Sequence, residues 1–398
     1  MDAVTGLRRA QAPDVQSGVS EPKGAMRRAF LYRLYPTRRQ AEALEAQLQA
    51  TRRLYNAALE QRRTVWQSRR QSISVYQQLR ELPDLRRAEP ELGAVHAHVC
   101  QTTLQRLDRA FRAFFRRLKA GEVPGGPRFK ARDRWDSLLF KEYGNGARLT
   151  DGRLRVFGVG HVKIKQHRPL AGTIKTVTLK RDARGRWAAI FSCEAVPARA
   201  FPAATAEVGI DLGLAAFATL STGETIDNPR WYRQTEEKLG EAQRVLATKR
   251  TGTRARRRAK HRVARLHEKA REQRRDFHHK MALRLVREHG AIAVEHLDTK
   301  GLVVQSSRGL AKSIHDAAWG QFLAILGTKA AEAGRRFVRV PPRGTSSTCS
   351  ACDRVEAKAL SERVHRCPCG LVLDRDENAA RNILRLGRSR WGAADAVA

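Results

Sequence analysis

The sequence predicts an α/β multidomain chain, and three observations carry that prediction. Residues 38–120 repeat apolar side chains at helical spacing. Residues 121–200 break into short alternating runs joined by Gly- and Asp-containing turns, and from 207 onward single apolar strands alternate with long helical stretches. At 398 residues the chain has room for two or three domains, and 41% hydrophobic residues supply buried cores and exclude a wholly disordered chain.

Residues 1–25 are small, polar and without periodicity, and read as a flexible extension ahead of Met26. Residues 28–35 mix aromatics with β-formers and stop at Pro36, which predicts a strand. Thr37 and Gln40 have the spacing of a capping box, so a helix is expected from there to about Arg69. A second helix is predicted from about Thr102 to Lys119, with Leu104, Leu107, Phe111, Phe114 and Leu118 on one face. Gly- and Pro-rich residues 121–127 end it. Asp151-Gly152 and residues 182–185 then each join two strand-like runs. Because 28–35 is also strand, the β module is expected to assemble from both sides of the helical insertion. Residues 201–205 serve as a linker. A strand over 207–213 and a hairpin over 217–226 follow. Beyond Pro229 the chain reads as helix almost to Gly290, with a break at 251–253. A strand at 291–297, a helix over about 314–333, a strand at 337–340 and a helical segment at 378–384 complete the pattern.

Lys and Arg number 77 against 40 Asp and Glu, a net charge of +37. Self-repulsion at that charge opposes compaction unless a polyanion screens it, and nucleic acid is the common intracellular polyanion. No apolar run approaches the ~18–20 residues that cross a bilayer. A membrane partner is therefore not expected, and the reading is cytoplasmic. The densest cations are Arg254, Arg256, Arg257, Arg258, Lys260 and Arg262, with almost no compensating acids, which favours phosphate binding over a merely solvated face. Arg128, Phe129 and Lys130 interleave cations with an aromatic. That mixture holds phosphates and stacks on bases, and equally suits a solvated loop beside core aromatics.

Acids stand inside apolar strands at Asp211 and Glu295, where burial penalises charge unless something compensates it. Structural ion pairs would explain either one alone. Asp374 and Asp376 form a third acidic locus before a helix, and one of them suits a helix N-cap. Together the loci suggest a carboxylate cluster for two divalent cations: hard Mg²⁺ prefers oxygen ligands, and a pair of ions offsets the charge of phosphodiester hydrolysis. Cys349 and Cys352 are separated by 14 residues from Cys367 and Cys369, a zinc-ribbon-like pair of knuckles. The second is C-x-C, and His365 stands close enough to replace one thiolate.

GIDLG at 209–213, VEHL at 294–297, IHDAAWGQF at 314–322, TSSTCSAC at 345–352 and CGLVLDRDENAA at 369–380 resemble, in order and spacing, the TnpB nucleases of insertion-sequence transposons. Those nucleases are related to the compact type V CRISPR effectors. LYP at 34–36, FFRRLK at 114–119 and PRFK at 127–130 extend the resemblance from about Met26 to Leu386. It implies an RNase H-like RuvC nuclease domain (205–345 and 371–387) with an inserted zinc ribbon (346–370). It further implies a wedge β-barrel (26–37 and 121–200), a helical recognition domain (38–120) and a tail (388–398).

Carried over by motif, Asp211, Glu295 and Asp376 are the implied catalytic ligands of two Mg²⁺ ions. Asp376 rather than Asp374 precedes the x-Asn-x-Ala element. Cys349, Cys352, Cys367 and Cys369 are the implied structural Zn²⁺ ligands. Arg128, Phe129, Lys130 and the 254–262 cations are expected to grip a guide RNA paired with double-stranded target DNA, cut beside a short adjacent motif. A monomer is the expectation, with the oligomeric state left open. The sequence departs from the family pattern by the shortened second knuckle and by Asp353, where the first knuckle usually has Gly. A compact type V CRISPR effector is the neighbouring alternative. A guided, non-cleaving regulator is disfavoured because all three acids are present. A strand-transfer transposase is disfavoured by the ribbon's position and the motif order.

Overall fold

The computed structural model describes residues 26–198, 201–356, 359 and 362–395; the extension expected at 1–25 lies outside them. Strand β1 (Met26–Tyr35) leads into α1 (Arg38–Arg69) through the capping box: the Gln40 N–H donates to Thr37 Oγ1 at 3.3 Å, and the Thr37 N–H donates to Gln40 Oε1 at 3.0 Å. Helices α2 (Val75–Ala88), α3 (Pro90–Gly93) and α4 (Ala97–Lys119) follow. Helix α4 begins five residues before the expected Thr102, because His96 caps it and Val99 and Cys100 are buried. Helix α2 escaped the apolar pattern because Gln78 occupies a core position. Its amide donates to the Ala58 carbonyl and accepts from Arg62 Nε, both at 2.9 Å.

Strands β2 (Ser137–Phe140), β3 (Ala147–Thr150), β4 (Arg153–Val156), β5 (Gly160–Lys165), β6 (Thr173–Arg181) and β7 (Trp187–Val196) join β1 in one antiparallel sheet, ordered β2-β6-β7-β1-β5-β4-β3. The first strand of the chain thus fills the middle of a sheet whose other strands follow the helices, with Phe30 opposite Phe191 and Leu34 opposite Ile164. Phe30, Tyr32, Leu48, Leu104, Phe140 and Phe191 belong to one continuous core, so these helices and this sheet share their buried surface.

The second half opens with β8 (Glu207–Asp211), β9 (Ala216–Leu220) and β10 (Thr225–Asp227), then α5 (Trp231–Ala247) and the 35-residue α6 (Arg254–Glu288). Strand β11 (Ala291–Glu295), helices α7 (Thr299–Gln305), α8 (Arg308–Ala317) and α9 (Trp319–Glu332), and β12 (Arg336–Val340) come next. The chain closes with β13 (Val364–Arg366), β14 (Val372–Asp374) and α10 (Arg375–Asp395). The sheet order is β10-β9-β8-β11-β12: β8, β11 and β12 run parallel, while β9 and β10 are antiparallel. On β11, Ile292 and Val294 pack with the core that includes Leu285 of α6 and Phe322 and Leu326 of α9. Ala291 and Ala293 pack with Ile383 and Trp391 of α10. The alternation of a strand therefore puts helices on both faces.

Two expectations are corrected here. The single helix over 314–333 is two helices, broken at Ala318 in the left-handed region (φ 49°), where α6 side chains satisfy the freed carbonyls. His278 Nε2 lies 3.1 Å from the Ala317 oxygen, and Arg274 donates to the Asp316 oxygen at 3.3 Å. The tail read from 388 instead continues α10 to Asp395, with Trp391 buried and the Arg336 guanidinium 5.4 Å from its ring. The two halves meet through ion pairs: buried Glu268 of α6 takes Arg184 at 3.0 Å and also Arg186, and Lys260 reaches Asp133 at 3.3 Å. Among the described residues no helix is long and apolar enough to cross a membrane.

Candidate active site and metal centre

The β8–β11 register pairs Ile210 with Val294, so the next residues, Asp211 and Glu295, emerge side by side at the C-terminal ends of parallel strands. Helix α10 brings the third acid to that edge by packing unusually close. A Cβ at Gly209 would lie 2.1 Å from the Ala380 oxygen, and one at Gly387 would lie 2.5 Å from Ala293 Cβ. Only glycine permits either approach. Asp376, in the first turn of α10, then faces the β8–β9 turn: a Cβ at Gly213 would stand 3.9 Å from its carboxylate.

All three acids hold their protons more tightly than free carboxyls, and at Asp211 the other two add to the effect of burial. Asp211 is pushed up to about 8, first by burial and then by repulsion from Glu295 and Asp376, with the Leu212 N–H and Arg375 acting the other way. Burial pushes Glu295 up to about 7. Asp376 is raised by burial and by Asp374, against Arg363 and Arg375. Nearby arginines thus leave the cluster undercompensated, as a cation-binding donor set would be without its cation. Asp374 has another task. Its Oδ1 accepts the Asp376 N–H at 2.8 Å and the Glu377 N–H at 3.2 Å, which makes it the N-cap of α10.

Among the described residues, the group whose ligand atoms all approach within 4.8 Å is Cys349, Cys352, Cys367 and Cys369. Asp211, Glu295 and Asp376 do not form such a group. The sulfurs of Cys349 and Cys369 lie 3.7 Å apart and those of Cys352 and Cys367 3.5 Å. A tetrahedral ion with Zn–S bonds of about 2.3 Å requires sulfur separations of about 3.8 Å, so the donor set fits zinc. The shortened knuckle still delivers both thiols: the Cys367 N–H donates to the Leu371 oxygen, and Gly370 turns at φ 92°. Asp353 meets the demand of the first knuckle by adopting φ 61°, a conformation Asp tolerates better than most residues. His365, weighed above as a substitute ligand, lies outside the sulfur group. It is buried and hydrogen-bonds Cys349.

The two sites are mechanically joined. Asn378 donates to the Thr348 oxygen at 2.8 Å and accepts the Ser350 N–H at 2.9 Å. Asn382, one turn on, donates to the Thr345 and Thr348 oxygens at 2.9 and 2.6 Å. Both asparagines are buried. Sequence reasoning missed this clamp; its signal was two amides at i, i+4 spacing on an otherwise apolar helix face.

The predicted cations divide. Arg254, Arg257 and Arg258 are exposed on α6. Arg256 instead donates to the Leu246 and Lys249 oxygens at 3.1 and 2.7 Å and so caps α5. Lys260 pairs with Asp133, and Arg262 lies 3.8 Å from Glu241. Lys130 is strapped to α1 by its backbone, its N–H donating to Asn56 Oδ1 at 2.8 Å, while its ammonium sits 5.8 Å from the Tyr55 ring centroid. Arg128 is exposed, and Phe129 is exposed under the Arg63 guanidinium.

Residues 191–305 match the IS605 OrfB family described as "Probable transposase", residues 319–383 match the Cas12f1-like TNB domain, and residues 26–71 match a family described as a helix-turn-helix domain. In the structure that last range is a strand and a single long helix. A Streptomyces pristinaespiralis protein, provisionally named an RNA-guided DNA endonuclease, is 37% identical over 94% of this chain and 92% of its own length. The Escherichia coli K12 protein provisionally named RNA-guided DNA endonuclease InsQ is 28% identical over 75% and 76%. In fold, the chain resembles Cas12f1 from a complex with sgRNA and target DNA. The TM-score is 0.56 at 13% identity, covering 90% of this chain and 98% of that one. The end-to-end likeness to the Streptomyces protein, together with the IS605 OrfB match, makes this chain a member of the TnpB family of RNA-guided DNA endonucleases.

Proposed function

We propose that this chain is an RNA-guided endonuclease of an insertion-sequence transposon that hydrolyses double-stranded DNA beside a short adjacent motif. Asp211, Glu295 and Asp376 form its single cleavage site. The observation that carries this reading is the meeting of three undercompensated acids at one edge of a mixed five-stranded sheet. The names of the relatives support the substrate class. On this reading the second half is the RNase H-like RuvC unit carrying the zinc ribbon, and the first half is the wedge with its helical recognition part.

The carboxylates are hard oxygen donors suited to magnesium, and the four thiols are soft donors suited to zinc. Bound magnesium supplies positive charge that activates water and offsets charge on the scissile phosphate. The residues of the chain do the rest. Parallel strand ends fix Asp211 and Glu295, while the Asp374 cap and the asparagine clamp fix Asp376. Arg254, Arg257 and Arg258 hold nucleic-acid backbone by charge, leaving sequence choice to the guide RNA.

The test uses the full chain purified with its RNA and a duplex matching that RNA. Asp211→Ala and Glu295→Ala are expected to abolish cleavage while RNA and DNA binding stay within about twofold. Joint loss of binding and cleavage in both variants would make the acids structural. Protein free of RNA from cells that express the transposon end would contradict guidance.

A further inference from the structure

Between the C-terminal ends of α1 and α4 lies a groove of about 540 Å³ that the cleavage site does not use. Trp66 on one wall is 50% exposed and Phe115 on the other 58%, although large aromatics are ordinarily buried. Phe115 packs edge-on against Phe114 at 5.1 Å and nearly parallel to Phe111 at 6.3 Å, so its orientation is fixed from behind while its outer surface stays open. The acid on the lining, Asp108, is held by Arg62 at 3.4 Å and Arg112 at 2.7 Å. Arg63, also on the lining, stands 5.4 Å from the ring of exposed Phe129.

We propose that this groove receives an unpaired nucleobase of a single strand, stacked on Trp66 and Phe115, with the adjoining phosphates at Arg63 and Arg112. The chemistry chooses among occupants. A second copy of a chain carrying +37 is repelled from an arginine-rimmed groove, and an uncharged peptide or lipid gains nothing from its guanidiniums. A base within a duplex has both faces covered by its neighbours. An unpaired nucleotide offers the flat apolar face and the anion together, and stacking on aromatics tolerates any base. The inference rests on the nucleic-acid reading above but concerns a surface in the other half of the molecule from Asp211.

The test uses the full chain stripped of nucleic acid, with DNA and RNA single strands of about twelve nucleotides and an abasic strand of equal charge. The fluorescence difference between wild type and Trp66→Phe isolates Trp66. Both base-bearing strands, or one of them, should quench that component, the responding strand naming DNA or RNA as the source; the abasic strand should not. Phe115→Ala should bind the responding strand roughly 5- to 30-fold more weakly and the abasic strand unchanged. Phe115 is exposed, so circular dichroism should be unaltered. Strand binding with no change at Trp66, or with undiminished affinity in Phe115→Ala, overturns the inference while leaving the nuclease reading intact. A doubled mass in light scattering that Phe115→Ala reverses makes the groove a self-association surface and also overturns it. Absence of any binding by wild type would sink the nucleic-acid reading itself, and the inference with it.

Discussion

Asn378 donates its side-chain amide to the Thr348 carbonyl at 2.8 Å, two residues along α10 from Asp376. The cysteine unit and the third carboxylate are therefore anchored to the same helical turn. Asn378→Ala removes the partner of the Ser350 N–H, while Asn382 still serves Thr348. Loss of one buried hydrogen bond costs about 1–3 kcal/mol. The four thiols keep their own geometry, so zinc content by atomic emission should stay at one equivalent while cleavage falls about tenfold or more through misplacement of Asp376. Loss of zinc together with cleavage would show instead that Asn378 is needed to build the ribbon.

Asp211, at about 8, and Glu295, at about 7, both lie above their unfolded values, so the folded metal-free chain binds more protons than the unfolded chain. The stability these two groups contribute is therefore complete below about pH 4 and is lost as pH rises through 7 to 8. Magnesium favours the ionised forms and should reverse the trend. At pH 8.5 without metal, Asp211→Asn should unfold a few degrees above wild type, at about 2–4 °C per kcal/mol, and the gain should shrink at pH 5.5. Scanning calorimetry of the two proteins with and without magnesium reads this directly. A lower melting temperature for Asp211→Asn at pH 8.5 would assign the carboxylate a structural role.

What was legible in the sequence was local. The Thr37–Gln40 box and the Asp151-Gly152 turn, with φ of 49° and 68°, depend on residues within three positions of one another. Asp211 and Glu295 stood out because each interrupts a short apolar strand. Their meeting depends on the parallel register of β8 and β11 and on Gly209 admitting α10, relations that span 84 and more positions and leave no periodic trace. The elements that were missed share that cause. Gln78 is a core residue only because α1 offers it a carbonyl and a guanidinium, and the break at Ala318 holds because His278 and Arg274 come from another helix. Trp391 reads as tail until β11 is placed beside it.

The cation run on α6 looked uniform in sequence, but its members have different work. Arg256 is turned back onto the carbonyls of Leu246 in the last turn of α5 and of Lys249 just beyond it, whereas Arg254, Arg257 and Arg258 face outward. Each phosphate contact contributes a slope of about 0.9 to the dependence of log affinity on log salt for duplex DNA, and about 0.7 for single strands. Replacing Arg254, Arg257 and Arg258 together by alanine should thus lower that slope by about 2 on single strands and nearly 3 on duplex DNA, and weaken binding alike across target sequences, with the melting temperature nearly unchanged. Arg256→Ala should leave the slope within about 0.5 of wild type and lower the melting temperature instead, because the α5 carbonyls lose their cap. Salt titrations by fluorescence anisotropy, run beside thermal melts of the same four proteins (wild type, the triple variant, Arg256→Ala and their combination), separate the two roles. A full unit of slope lost in Arg256→Ala would mean that its guanidinium leaves Leu246 and Lys249 for a phosphate.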